Sequence, residues 1–387
     1  MKFKKDIYKI LQKHLDTMPV GFPATLSGVE QRILKALFTP DEARLAMALT
    51  QYPQPAVVIC SRAQNVGCSG LNEAKCQAML DQMAKKGSIF KKNHASAPAY
   101  GLVPFVIGMF EFQVKHLDRQ FYEDTARYFR EAFGLEYLST ALPQMRVIPV
   151  AQSITDTHHI ATYDEIRQII EQADGRMGVA HCICRKGKDM IDEPCARTDR
   201  RELCFGFRDY FDTYQREGWL RPVSREEALE ILQASEKEGL VLQATNEQYP
   251  QAVCACCGCC CGVLNTLKSI PNSADFVAAN YYARVDEKKC VGCGICVQRC
   301  HLEAISIVEK KAEINLKRCI GCGVCVTCCQ AGALHLEEKT PAVIPPLTTE
   351  AFYERLMEEK GRGRRLRTAF KILRHMRLKD IKFFIQS

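Results

Sequence analysis

The sequence predicts a multidomain α+β protein, and three observations carry that prediction. The chain has 387 residues, which at roughly 100 to 200 residues per domain is room for two to four domains, each with its own core. Segments of helical period stand between short apolar runs of strand length. The 22 cysteines are crowded into one part of the chain, nineteen of them between Cys182 and Cys329. With 47% hydrophobic and 25% charged residues, the composition is that of a globular protein and excludes a disordered or collagen-like chain. A chain of this length has no need of disulfide staples, so the cysteines call for a chemical explanation.

Cysteine-rich chains are secreted disulfide scaffolds, zinc proteins or iron–sulfur proteins. Export requires an apolar signal core, whereas Met1-Lys2-Phe3-Lys4-Lys5-Asp6 is charged and runs into an amphipathic helix pattern. The most apolar stretch, Ala99 to Phe110, is interrupted by Pro104 and falls short of the about 20 residues that cross a bilayer. The expected compartment is the cytoplasm, including its membrane surface, where thiols stay reduced and free to bind metal.

Residues 1–138 read as a mostly helical domain. Thr39-Pro40-Asp41-Glu42 is a helix start, with a threonine cap, a proline in the first turn and a glutamate to close a capping box. From about Asn72 to Lys86, Cys76, Met79, Leu80 and Met83 share one helical face, and Gly87 ends the run. Two strands follow, Ser88 to Lys92 and Ala99 to Val106, around a polar turn. This order, and the segment Leu80 to Lys91, resembles winged-helix modules, which serve as protein platforms as well as DNA readers. Lys85, Lys86, Lys91 and Lys92 are a thin electrostatic footprint for DNA, so nucleic acid is not the expected partner. Cys60, Cys68 and Cys76 read as packing or loop residues.

Residues 140–283 read as a cysteine-rich mixed α/β domain. Thr162-Tyr163-Asp164-Glu165 and Ser224-Arg225-Glu226-Glu227 open helices, and Gly178 to Ile183 and Leu240 to Ala244 are extended. Ten cysteines lie here. Cys182, Cys184, Cys195 and Cys204 are the simplest four-ligand set for a metal centre. Cys254, Cys256, Cys257, Cys259, Cys260 and Cys261 form a packed run in which neighbours point different ways, so they cannot all close around one cubane. Two from each group could also combine. Zinc competes with an iron–sulfur cluster here, because C-x-C and C-x2-C pairs suit both. His158, His159 and His181 could ligate metal or relay protons, or be caps and surface residues. Arg185, beside Cys184, could balance cluster charge or simply pair with an acid.

Residues 284–338 are an internal repeat with an offset of 29. Cys290 to Ile307 aligned with Cys319 to Leu336 gives eight identities in 18 positions, four of them cysteines. Each half is C-x2-C-x2-C-x3-C. Three thiolates at this spacing wrap one loop around three corners of a cubane, and the fourth cysteine ligates the other cluster. That places Cys290, Cys293, Cys296 and Cys329 on one 4Fe-4S cluster and Cys319, Cys322, Cys325 and Cys300 on a second. Gly292, Gly294, Gly321 and Gly323 allow the tight loops and let backbone amides reach the sulfurs. The segment closely resembles bacterial two-cluster 4Fe-4S ferredoxin domains. It departs from them at His301 and Gln330, where that family usually places proline. Zinc more often uses two separated C-x2-C pairs, and Cys328 is surplus. With its cysteine-rich neighbour the segment is similar to multidomain ferredoxin-like proteins of anaerobic bacteria.

Residues 339–387 form a basic tail. Eleven Lys and Arg against five Asp and Glu from Pro341 onward account for most of the net charge of +8. Gly361 to Phe384 reads as an amphipathic helix, with Leu366, Ala369, Phe370, Leu373 and Met376 on one face. It would pack on its own protein, dock an acidic partner or lie on an anionic membrane. No Walker loop, dinucleotide-binding glycine motif, Ser-His-Asp set or metalloprotease signature is present. The expected function is relay of single electrons through two clusters and a third centre, as subunit or partner of a flavin- or metal-containing oxidoreductase. The rivals are a redox-sensing DNA-binding regulator and an enzyme with a catalytic middle cluster.

Overall fold

The computed structural model describes residues 6–68, 70–93, 97–154, 161–361 and 363–376. The chain forms two compact units. One runs to Thr140 and takes in Thr213–Trp219 and Tyr353–Gly361; the other comprises Ala141–Asp212, Leu220–Phe352 and the chain after Gly361.

The first unit contains α1 (Ile7–Asp16), α2 (Val29–Leu37), α3 (Pro40–Ala46), β1 (Gln54–Pro55), α4 (Ala56–Ala63), α5 (Glu73–Lys85), β2 (Phe90–Lys92), β3 (Ala99–Gly101), α6 (Arg119–Tyr128) and α7 (Gly134–Ser139). The expected capping box forms, with the Glu42 amide donating to Thr39 Oγ1 and the Thr39 amide to the Glu42 carboxylate. Asn72 caps α5, and Gly87 takes a positive φ of 74° where the helix stops. A Cβ there would lie 2.6 Å from that of Phe112, so glycine is needed for space as well as conformation. Strands β1, β3 and β2 make a small antiparallel sheet. Lys86 is paired with Glu42 and Lys91 with Asp81, which takes two of the four lysines away from a polyanion. Cys76 and Cys60 are buried, and Cys60 donates to the Leu71 carbonyl.

The second unit is built on a six-stranded antiparallel sheet. Along the chain lie β4 (Met145–Ile148), α8 (Ile166–Glu171), β5 (Met177–His181), α9 (Ile183–Met190), β6 (Glu202–Phe207), α10 (Arg208–Arg216), β7 (Arg221–Pro222), α11 (Arg225–Lys237), β8 (Val241–Thr245), β9 (Ala252–Cys256) and α12 (Gly262–Lys268). The spatial order is β4-β8-β9-β6-β5-β7. Side chains alternate across a strand. Leu203, Phe205 and Phe207 of β6, Val253 and Ala255 of β9, and Leu242 and Ala244 of β8 enter one core with Ile166, Ile169 and Ile170 of α8 and Ala228 and Leu232 of α11. The intervening positions, Cys204, Cys254, Cys256 and Gln243, belong to the opposite face. Register puts Cys204 beside Cys254 and Cys254 beside Gln243.

Ser224 caps α11 as expected, but the other expected helix start differs. Thr162–Asp164 is a short 3-10 turn and α8 begins at Ile166 without a side-chain cap. Asp164 is instead buried, accepting from Arg146 Nη1 at 2.9 Å and Asn280 Nδ2 at 2.7 Å. Burial pushes its carboxyl upward, against the pull of Arg146.

Next come β10 (Tyr281–Val285), α13 (Ile295–Arg299), β11 (Ile305–Val308), β12 (Lys311–Ile314) and β13 (Leu334–Glu338). β10 pairs with β13 and β11 with β12, both antiparallel. The first half of the repeat has its third cysteine, Cys296, within the helix α13, while the second half has only turns from Val324 to Cys328. The chain ends in α14 (Thr349–Glu358) and α15 (Arg364–Leu373). α15 is shorter than the expected helix, and Arg377 and Lys379 lie outside the described residues. Its apolar stripe is exposed, Leu366 at 66% and Phe370 at 70%, while Ile372 and Arg364 are buried. Among the described residues no helix is long and apolar enough to cross a membrane.

Both side chains of the Arg146–Asp164 pair are under a tenth exposed. Arg146→Ala leaves a buried carboxylate without its cation, and the expected loss is about 3–5 kcal/mol of folding stability, read from the urea midpoint. Asp164→Ala in the Arg146→Ala background should restore part of it, and a wild-type midpoint in Arg146→Ala would contradict this reading.

Candidate metal centres

In the repeat segment the two halves present their sulfurs alike. The amides of Ala312 and Ala283 donate to Sγ of Cys290 and Cys319, each at 3.4 Å, and those of Ala304 and Ala333 to Cys300 and Cys329, each at 3.3 Å. Within each pair donor and acceptor are related by the 29-residue offset. Such donors favour thiolate over thiol; the amides of Ala312 and Gly292 hold Cys290 below the usual thiol range. Gly292 and Gly321 sit at φ 68° and 66°, where a Cβ would come within 2.2 Å of the Lys310 carbonyl oxygen and 2.1 Å of that of Tyr281. The backbone passes so close that no side chain fits.

The halves differ in exposure. Val291 is 71% exposed and Ile295 42%, and Cys293 is exposed. Their counterparts Ile320 and Val324 are 3% and 1% exposed. Gly294 has open space around it, whereas a Cβ on Gly323 would strike Ser153, and the Val150 amide donates to the Cys322 carbonyl. Cys300, Cys319, Cys322 and Cys325 line one cavity and act electrostatically on one another. Burial pushes Cys322 up to about 12. Cys296 has Cys293 and Cys328 as electrostatic neighbours, and Cys328 donates to the Cys325 carbonyl at 3.2 Å.

The ten middle cysteines separate into two groups. Sγ of Cys195, Cys257, Cys259 and Cys260 all lie within 4.8 Å of one another. Individual separations are 3.6 Å for Cys195–Cys257, 3.8 Å for Cys195–Cys259, 3.3 Å for Cys257–Cys259 and 3.7 Å for Cys259–Cys260. A tetrahedral ion with metal–sulfur bonds of about 2.3 Å sets its sulfurs about 3.8 Å apart. A cubane spreads them wider, since each thiolate binds its own iron. The spacing is therefore that of a single ion.

The other six interact through their side chains in the order Cys182, Cys184, Cys261, Cys256, Cys254, Cys204 and back to Cys182, a ring in which Cys204 and Cys254 are register partners. Cys204, Cys254 and Cys256 come from the sheet face opposite the core, and Cys182 and Cys261 immediately precede α9 and α12. Hydrogen bonds from Cys184 and Cys204 lower the Cys182 thiol, and those from Cys184 and Cys256 lower Cys261. Gln243 Nε2 donates to Cys261 Sγ at 3.8 Å.

Thus Cys182, Cys184, Cys195 and Cys204, the simplest set in sequence, are not among the sulfurs grouped within 4.8 Å of one another, apart from Cys195. Cys195 joins the packed run and the other three join the ring. Two further residues organise the region, and sequence reasoning gave both little weight. Arg185 is 1% exposed; it donates to Sγ of Cys195 at 3.4 Å and Cys257 at 3.2 Å and to the Ala255 carbonyl at 3.0 Å. Burial works against its charge, but Cys182 and Cys257 outweigh it and its pKa is raised. His301, 6% exposed, accepts from the Gly258 amide at Nδ1, 3.1 Å, and places Nε2 2.6 Å from the Gly239 carbonyl. These partners assign the proton to Nε2. The residue in place of the expected proline thus ties Cys300 to the loop between Cys257 and Cys259; its signal was the departure from pattern. His181 is exposed at the end of β5, and His158 and His159 lie outside the described residues.

Two outcomes follow. His301→Ala leaves the Gly258 amide and Gly239 carbonyl unpaired, at about 1–3 kcal/mol each, seen as a lower denaturation midpoint; an unchanged midpoint contradicts the role. Arg185→Ala should release metal from the Cys195 set to a chelator faster than wild type. Equal retention would show that the guanidinium does not balance that site.

Residues 282–330 match the family model of the 4Fe-4S dicluster domain. No curated protein and no solved structure matches the chain. The chain therefore contains a 4Fe-4S dicluster domain, beside a second cysteine group able to hold a metal ion.

Proposed function

We propose that the protein relays single electrons between a docked redox protein and the interior of its cysteine-rich sheet domain, as subunit or partner of a flavin- or metal-containing oxidoreductase. The observation that carries this reading is the unequal setting of two chemically equal cysteine sets. Cys290, Cys293, Cys296 and Cys329 hold the cluster at the surface, beneath Val291 and Ile295, where a partner can approach. Cys319, Cys322, Cys325 and Cys300 hold the inner cluster, and Cys300 is followed by His301, whose imidazole reaches the Gly258 amide. The ion of Cys195, Cys257, Cys259 and Cys260 lies at the end of that connection. Iron–sulfur centres move electrons without making bonds, which suits a chain rich in ligands.

The exposed stripe Leu366, Phe370 and Leu373 on α15, among arginines, supports docking to an acidic partner or to an anionic membrane at the cytoplasmic face. The pairing of Lys86 and Lys91 favours protein over DNA as the ligand of the winged-helix-like segment.

The test is full-length protein purified anaerobically, with iron and acid-labile sulfide measured per chain and EPR recorded on the reduced form. At least about eight of each are expected, with the spectrum of two interacting 4Fe-4S clusters. Cys322→Ser and Cys293→Ser should each remove one cluster's signal. About four iron, or a Cys322→Ser protein with the wild-type spectrum, would refute the assignment.

A further inference from the structure

We infer that the ring of Cys182, Cys184, Cys204, Cys254, Cys256 and Cys261 is a metal site of its own, which holds a polynuclear iron–sulfur cluster separate from the ion of the Cys195 set. This goes beyond the relay proposed above, which needs only the dicluster domain and the four-cysteine ion.

Ligand number is the first argument. One tetrahedral ion takes four thiolates, and one cubane has four irons with one outside corner each, so six converging thiols exceed both. Spacing is the second. No three of the six sulfurs lie within 4.8 Å of one another, as the four of the neighbouring set do. Each interacts with the next in turn, with Cys204 beside Cys254 in the sheet and Cys261 reached through Gln243, so the six spread over more than the coordination sphere of one ion.

Charge and hydrogen bonding give the third. Thiols are weak donors, and a ring of six in a buried site gains little that apolar side chains would not supply. Six thiolates without cations could not be buried at all. Metal resolves both difficulties. The surroundings present donors to sulfur: the Gln243 carboxamide to Cys261, the Leu264 amide to the same sulfur and the Arg185 amide to Cys182. This is the arrangement found at the four alanine amides of the dicluster domain, and such donors orient and tune cluster thiolates. Finally, Cys256–Cys257 and Cys260–Cys261 are consecutive pairs that place one member in each group, so the two sites share two peptide linkages.

The experiment compares anaerobically purified full-length wild type, Cys204→Ser/Cys254→Ser and Cys195→Ser/Cys259→Ser for iron, zinc and acid-labile sulfide per chain. Wild type is expected to carry sulfide above the about eight of two cubanes, because the four-cysteine ion brings none. The Cys204/Cys254 variant should lose that excess together with at least two iron, and keep the reduced dicluster EPR signals. Cys195→Ser/Cys259→Ser should lose one metal ion and keep the excess sulfide. The inference is overturned if the ring variant retains wild-type iron and sulfide, if the excess disappears with the Cys195 set instead, or if the metal lost from the ring is zinc. Should the ring variant fail to fold, wild type decides alone. Sulfide at about eight beside full dicluster signals overturns the ring cluster while leaving the relay intact; missing dicluster signals refute the relay and leave the ring to the excess sulfide.

Discussion

The second unit depends on how a permanent positive charge is kept inside it. Arg185 cannot shed its proton, and its side chain is almost wholly withdrawn from water. A charge so placed is tolerated only with a counter-charge at contact distance. The groups that raise its pKa are thiols, Cys182, Cys257, Cys195 and Cys256. Its hydrogen bonds go to the sulfurs of Cys195 and Cys257 and to the Ala255 carbonyl, so a thiolate in this set gains a buried cation as partner. Thiolates packed this closely repel one another unless a cation lies between them. The buried arginine and the four-cysteine group able to hold a metal ion are thus parts of one arrangement.

The same region shows how one short run of sequence serves two centres. Cys254 and Cys256 lie on alternate positions of β9 and face away from the core that takes Val253 and Ala255. Beyond the strand end the chain turns at Gly258, where a Cβ would meet the His301 carbonyl oxygen at 2.9 Å. That turn brings Cys257, Cys259 and Cys260 to Cys195, and the start of α12 returns Cys261 to the first group. The spacing of the run is thus a strand parity followed by a turn and a helix start.

Much of this was legible in the sequence, and the exceptions have physical causes. Capping by Thr39 and Ser224 rests on contacts three residues apart, which local sequence encodes fully. The repeat at Cys290 and Cys319 was readable because three cysteines of each half fall at two-residue spacing within a single loop. Asp164 deceived because its partners, Arg146 and Asn280, are 18 and 116 residues away, and a buried ion pair outcompetes a surface cap. The partition of the ten middle cysteines was hidden for a similar reason. It depends on the register of β6 against β9 and on which face of the sheet is core, neither of which a spacing pattern carries. Arg185 and His301 were visible as residues, but only their burial reveals what they do.

The repeat also shows that sequence symmetry need not produce functional symmetry. The two halves share ligands, glycines and amide donors to sulfur, so those features cannot distinguish the sites. What differs is the protein around them: Val150 and Ser153 close over the second loop, while the first faces water. Cluster potential responds to exposure as well as to hydrogen bonding, because water stabilises the more negative reduced state and burial opposes it. Two sites matched in every donor but unequal in exposure therefore do not bind an electron equally. The surroundings, not the motif, distinguish the two halves, and the histidine in place of proline joins the second half's partner cysteine, Cys300, to the Gly258 turn.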